Sequence, residues 1–205
     1  NATLNSVVNE IAPLLIGRAV GKVFQLSRSS LAIDFRNGPQ QFLFVSIESN
    51  RPRLHLTHRR VQELNRESLP LSPFGLIIRK QLGGLPLVSM RKDQTDRIVR
   101  FTFAGQNELG KQIERTMVAQ LTGRSANLFM LDDNDRIIDQ MRESKNIDSR
   151  IGELYVPPET SGGSDNASKE FPRGEFATLS EALDEHFRKI ESEQSLASRA
   201  VALQR

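Results

Sequence analysis

Thr95-Asp96-Arg97-Ile98-Val99-Arg100-Phe101 sets a carboxylate and a guanidinium side by side at the mouth of a strand. From Ile98 to Phe103 apolar and polar residues alternate, the period-two pattern of a strand with one buried face. Neither Asp96 nor Arg97 has an obvious burial role. Together they can accept from an amine edge, clamp a phosphate, or pair with neighbours.

Outward from this strand the same pattern recurs. Strands are expected at 86–92, 113–122, 126–131 and from Arg136 to Met141 on one side of the chain, and at 18–27, 30–36 and 40–48 on the other. Arg53-Leu54-His55-Leu56 reads as a short strand. Asn37-Gly38 is a hairpin turn signal between two of these runs. Helices flank them. Leu4, Val7, Val8, Ile11, Leu14 and Leu15 fall at helical spacing over 2–16, with Pro13 expected to kink or shorten the helix and Gly17 to stop it. Residues 74–82, bracketed by Pro70, Pro73, Gly83 and Gly84, read as a short helix, where Arg79 and Lys80 suit the negative C-terminal end. The pattern predicts an α+β fold, strand-rich, with mixed or antiparallel sheets and flanking helices.

Composition changes at Pro157. Residues 157–174 hold three Pro and three Gly with little apolar content, a linker composition. Thr178-Leu179-Ser180-Glu181 is a capping box. After it Leu183, Phe187, Ile190, Gln194, Ala197 and Val201 recur at steps of four and three, the seam of a coiled coil. A stripe this short must pack on the domain or continue in a longer protein, and continuation is the expectation. The chain thus divides into a domain over 1–156, a linker over 157–175 and the start of a coiled-coil helix over 176–205, with a possible helix partner along 183–201.

The chemistry available is narrow. With no Cys there is no disulfide framework, thiolate metal site or cysteine nucleophile. No apolar run approaches the ~18–20 residues of a membrane span. There is no phosphate-binding Gly loop and no Gly-x-Ser-x-Gly elbow, so no catalytic constellation and no cofactor are expected. His55 and His58 lie three apart, but five arginines between 51 and 66 make a bound cation expensive there. Asp132-Asp133-Asn134-Asp135 reads as a plain turn, because a calcium loop needs Gly where Ile137 stands. Charge is lopsided despite a net +3. Residues 51–100 carry eleven Lys/Arg against four acids, whereas 151–205 carry six against ten. A basic body attracts polyanions.

Five runs then stand out in order. They are Arg53-Leu54-His55-Leu56-Thr57, the segment 73–84 with Ile78-Arg79-Lys80, Asp96-Arg97-Ile98-Val99-Arg100-Phe101, Asn107-Glu108-Leu109-Gly110, and Gly123-Arg124-Ser125-Ala126-Asn127. They resemble the N-terminal domain of the NFACT family, collinearly from about residue 5 to 157. The resemblance implies a cytoplasmic ribosome quality-control factor. Such proteins bind the large ribosomal subunit carrying a stalled peptidyl-tRNA and recruit charged tRNA for template-free extension, with alanine in bacteria. Peptidyl transfer belongs to the ribosome, so no enzyme is implied. The family's Asp-Arg pair, which contacts tRNA, maps onto Asp96 and Arg97. Its Arg-Lys and Gly-Arg motifs map onto Arg79, Lys80 and Arg124, and Arg53 and Arg100 complete the expected RNA-binding set. The family fold is similar to the N-terminal domain of formamidopyrimidine-DNA glycosylases, but Asn1-Ala2 cannot supply their Pro-Glu chemistry. Ser125-Ala126 stand where the family has His-Ser. The helix-hairpin-helix module between first domain and coiled coil is missing here. An older family label, fibronectin binding, implies the competing reading of a protein-binding adhesin module.

Overall fold

The computed structural model describes residues 2–36, 41–94, 96–106, 109–144, 149–158 and 170–203, with side chains to residue 194. Two antiparallel sheets pack around one principal core. The first holds β1 (Val23–Ser27), β2 (Ser30–Asp34), β3 (Phe42–Ser46) and β4 (Arg53–Thr57) in that order. The second holds β5 (Leu87–Lys92), β6 (Ile98–Gln106), β7 (Gln112–Gln120), β8 (Asn127–Leu131) and β9 (Ile137–Gln140), again in order. Both sheets are purely antiparallel, which short connections between successive strands favour.

Register explains the core. Ile33 stands opposite Leu43, and Leu43 opposite Leu56; Leu31 stands opposite Val45, and Val45 opposite Leu54. In the second sheet Met90 faces Phe101, Phe101 faces Met117, and Met117 faces Met130. Because side chains alternate across a strand, these rows collect on one face of each sheet. They merge with Leu4, Val7, Val8, Ile11 and Leu15 of helix α1 (Ala2–Leu15). Each fully buried side chain of this kind contributes about 1.5–3 kcal/mol. A smaller cluster on the opposite face of the second sheet holds Ile98, Val118, Phe129, Leu131, Ile137 and Tyr155.

α1 runs two residues beyond Pro13, which costs it only the bond that residue's N–H would have made one turn back. Gly17 adopts φ +83°, a left-handed turn that aims its N–H at Leu87 O, 2.7 Å away. Helix α2 (Val61–Glu67) was not legible as a period, because it buries a single side chain, Leu64. Helix α3 (Pro73–Leu82) starts one residue before the expected 74: Ser72 accepts from Gly75 N at 3.2 Å, with Pro73 inside the first turn. The expected strand over 18–27 begins only at Val23; Ala19 and Val20 make isolated bridges to Pro86 and Gly83. At the acidic turn, Asp132 Oδ1 accepts from the N–H groups of Asn134 and Arg136, both at 2.9 Å. Its carboxylate is spent on turn geometry. Asn37-Gly38 lies outside the described residues, as do Asn107-Glu108 and most of the linker.

Helix α4 (Leu179–Leu203) corrects the expected seam. Its first turns do not wait for a partner chain. Leu179 and Leu183 are buried in the principal core, and Phe187 and Phe171 pack against it. The capping box forms with a shift: Thr178 Oγ1 accepts from Glu181 N at 3.1 Å, while Glu181 accepts from Ala177 N. The next two amides of the helix, Leu179 N and Ser180 N, donate to Glu10 of α1 at 2.7 and 3.1 Å. One carboxylate on α1 thus fixes where α4 begins. No helix among the described residues is long and apolar enough to cross a membrane.

Candidate nucleic-acid interface

Asp96 and Arg97 lie in the connection from β5 to β6, closed by Asp93 N donating to Ile98 O at 2.9 Å. They do not pair with each other. Arg97 is exposed, and its guanidinium donates to the carbonyl of Pro52 at 3.0 Å. The part of Arg97 lying against the body is desolvated, which lowers its pKa without discharging it. Asp96 is felt instead by Lys92 and Tyr155. The pair is therefore not a clasp: acid and guanidinium act on different neighbours.

The Gly-Arg motif sits close by. Leu121 N donates to Arg97 O at 2.7 Å, so the end of β7 lies against the start of β6. Immediately after, Gly123 at φ +58° opens a 3-10 turn, Gly123–Ser125, and leaves Arg124 exposed. Arg124 lines a cleft of about 610 Å³ with Gln120, Asn127 and Arg142. The family's His-Ser position reads differently here: Ser125 bonds Thr122 at 2.9 Å, and Ala126 is sealed in the core.

Arg100 is held rather than free. Its guanidinium forks onto both oxygens of Asp93, at 3.1 and 3.3 Å, and lies 5.2 Å from the Tyr155 ring. Tyr155 in turn donates to Gln120 at 2.9 Å, and burial raises its phenol pKa beyond the ordinary range. This chain stiffens the platform beneath the Asp96-Arg97 turn, and Arg100 serves it by position.

Arg79 and Lys80 are exposed on α3 but elsewhere. Their neighbour Gln81 accepts from Arg115 at 2.9 Å, and Arg115 pairs with Phe103. Phe103 is five residues along β6 from Ile98, roughly 17 Å at strand spacing. The structure therefore sets Arg124 three residues past the backbone bond to Arg97, in a cleft of its own, and leaves Arg79 and Lys80 as a separate patch.

Arg53 is the clear correction. Expected at the surface, it is 7% exposed, beneath α4. Its guanidinium pairs with Glu191 and, at 3.5 Å, with Glu48, and lies over the rings of Phe187 (4.3 Å) and Phe44 (5.0 Å). Burial lowers its pKa, and the two glutamates oppose the shift. On β4 Arg53, His55 and Thr57 share the face opposite Leu54 and Leu56, and α4 covers that face. His55 stacks between Phe44 and Phe187, with Nδ1 at 3.2 Å from Leu56 O. It is enclosed while His58 is exposed beside Gln41, so the two histidines share no site.

A stripe on α4 makes this cover, and the sequence reading missed it. Ser180 accepts from Leu56 N at 3.2 Å, Asp184 from Thr57 at 3.0 Å, and Gln194 from Arg51 at 2.9 Å, with Phe187 and Glu191 between. The steps of four, three, four and three were the available signal, obscured because most members are polar. Burial raises the pKa of Asp184, against the pull of Thr57 and nearby cations.

Comparison with known proteins agrees with these motifs. The model for the NFACT N-terminal and middle domains matches residues 1–171. The "Rqc2 homolog RqcH" of Streptococcus suis is 27% identical over 165 residues, 77% of this chain and 29% of that protein. The protein of the same name from Bacillus subtilis is 23% identical over 133 residues, 64% and 23% of the two chains. The chain thus spans less than a third of the curated relatives it matches. Two solved structures share the fold. The N-terminal part of the fibronectin/fibrinogen-binding protein from S. suis gives TM-score 0.67 at 24% identity, covering 77% of this chain and 61% of that one. The N-terminal domain of fibronectin-binding protein PavA from Streptococcus pneumoniae gives 0.67 at 22%, covering 96% and 85%. With the family model spanning most of its length and its motifs lying where the two sheets place them, this chain belongs to the NFACT family.

Proposed function

We propose that this chain is the tRNA- and large-subunit-binding module of a cytoplasmic ribosome quality-control factor, acting where a peptidyl-tRNA is stalled. The observation that carries the reading is Arg97: an exposed guanidinium with no acidic partner among the described residues, on a stiffened turn next to Asp96. Arg97 retains donors for a phosphate or a base edge. Asp96 repels phosphate and suits an exocyclic amine, which unstacked RNA loops present. Family membership and the name of its curated relatives support this reading. The module binds and positions; peptide-bond chemistry, including alanine addition, falls to the ribosome. Filter binding of transfer RNA and large subunits tests it. Wild type should bind with an affinity that falls by ~0.7 log units per tenfold rise in salt for each phosphate contact. Arg97→Ala and Asp96→Ala should weaken binding with an unchanged circular dichroism spectrum.

The names of the structural neighbours favour a second reading, a fibronectin-binding adhesin module. Binding of fibronectin that survives high salt, with none of transfer RNA at low salt, would establish that reading over the first.

A further inference from the structure

The β4 face under α4 carries a charge arrangement that structural burial alone does not call for. Arg51, Arg53 and Arg59 converge around a cavity of about 300 Å³ that Glu48, Glu67 and Glu191 also line. Each guanidinium is held through its terminal nitrogens: Arg59 reaches Glu67 at 3.1 Å and Glu191 at 3.6 Å, and Arg51 reaches Glu48 at 3.4 Å and Gln194. All three Nε atoms are buried without a hydrogen-bond partner among the described residues. A buried donor left unpaired costs about 1–3 kcal/mol. Three arginines packed into one place, each with its Nε–H idle, is a poor solution for stability. It is a good one for phosphate, whose oxygens can engage Nε and a terminal nitrogen of the same guanidinium together.

The cover suits removal. Along this face α4 is held by Ser180, Asp184, Glu191 and Gln194 through polar contacts, and its apolar seat is confined to the first turns and Phe187. The contacts of Ser180 and Asp184 are buried, whereas those of Glu191 and Gln194 are partly exposed, and contacts of that second kind are individually weak. The connection over 157–174 has linker composition by sequence. Glu191 and Gln194 of α4 stand where anionic oxygens would, while Glu48 and Glu67 hold the same arginines from the body.

We propose that Arg51, Arg53 and Arg59 form a second RNA-phosphate-binding row, and that α4 is its intramolecular occupant, displaced when RNA engages. The inference rests on the RNA-binding reading above and extends it: the exposed turn at Asp96-Arg97 makes first contact, and the covered row adds affinity once the helix lifts. Pro52 ties the two, since Arg97 donates to the carbonyl of the residue preceding Arg53.

The test uses the full chain, whose lack of Cys makes a cross-link unambiguous. Thr57→Cys with Asp184→Cys, at side chains now in hydrogen-bond contact, locks α4 when oxidised and frees it when reduced. Unfractionated transfer RNA and polyuridylate are the probes. The reduced form should bind roughly two- to fivefold tighter than the oxidised form, the range set by the ion pairs that compete. Its log–log salt slope should be steeper by up to about 2, three phosphate contacts at ~0.7 each. Glu191→Gln, which keeps shape and removes charge, should move affinity in the same direction. Equal affinity and slope for oxidised, reduced and Glu191→Gln proteins, all still binding RNA, would overturn the covered row and leave the exposed turn standing. No RNA binding in any form, with native circular dichroism, would overturn both. Tighter binding of an acidic polypeptide such as polyglutamate, but not of RNA, on reduction would assign the row to protein and also defeat the inference.

Discussion

Arg97 and Arg53 nearly touch through one peptide. Arg97 donates to Pro52 O, and Arg53 follows Pro52 in the chain. Both line the same apolar groove beside Leu4, Phe171 and Phe187. Yet Arg97 is exposed with no acid upon it, whereas Arg53 is sealed between two rings and two glutamates. Proximity does not decide which cation can meet a polyanion. A helix arriving from more than a hundred residues away does.

The difference is sharpest in a pair of substitutions. Arg53→Ala should cost about 2 kcal/mol of stability. Breaking a buried pair costs ~3–5 kcal/mol, reduced here because Glu48 and Glu191 keep a third or more of their surface in water. Arg97→Ala should leave the melting midpoint within about half a kcal/mol of wild type, as exposed sites do. Denaturant melts of the two variants measure this directly, and equal losses would erase the distinction between the regions.

A comparable effect should appear with pH. Burial lowers the pKa of His55 from 6.5 to about 3, and Arg53 and Arg59 push the same way. The folded value lies below the unfolded one, so the open state binds more protons. His55 therefore supports the docked state fully above pH 6.5 and progressively less as pH falls toward its folded value. At pH 5 the loss is about 2 kcal/mol, at 1.36 kcal/mol per unit. Asp184 acts oppositely: its raised pKa makes docking easier as pH falls from its folded value toward the ordinary 3.8. Amide exchange at residues 180–194 should accelerate between pH 6.5 and 5, after correction for intrinsic rates. His55→Phe should flatten that profile while keeping the stack, losing only the Nδ1 bond to Leu56 O.

The third contrast is functional. Arg97→Ala should weaken transfer RNA binding by about tenfold, near 1.4 kcal/mol, within the range for a charged hydrogen bond. Arg97→Lys should recover the charge but not the fork, and so restore only part of it. Full activity in Arg97→Ala would leave the exposed turn without a role in binding.

How much of this was legible varies with the distance over which each feature is decided. The strands were, because alternation such as Ile98-Val99-Arg100-Phe101 is local and register needs only neighbours. The Asp96-Arg97 turn was placed correctly at the strand mouth, yet its side chains part company, which depends on Pro52 from another sheet. Arg53 alternates with Leu54 and Leu56 as an outward residue should, and it does point away from the core. What covers it is Phe187 and Glu191, invisible from β4 itself. The stripe on α4 was read as a coiled-coil seam because Leu183 and Phe187 carry that spacing, whereas the polar members at 180, 184 and 191 lock it to its own domain. α2 escaped because one buried Leu64 defines no period.

The smallest effect concerns Arg79 and Lys80, which share exposure with Arg97 but stand roughly 17 Å of strand away. Two accounts of them differ measurably. As cations on the last turn of α3 they favour the helix dipole, each by ~0.3–1 kcal/mol. As part of an RNA track they contact phosphate and leave the fold indifferent. Under the second account, Arg79→Ala with Lys80→Ala should shallow the salt slope by about 1.4, two contacts at ~0.7. The loss should add to that of Arg97→Ala, because sites this far apart without shared partners are energetically independent. Under the first, the midpoint of thermal unfolding falls slightly and the slope stays put. An RNA long enough to cover both patches is essential to the comparison: a short oligonucleotide held at the Asp96-Arg97 turn should ignore α3, and transfer RNA should not.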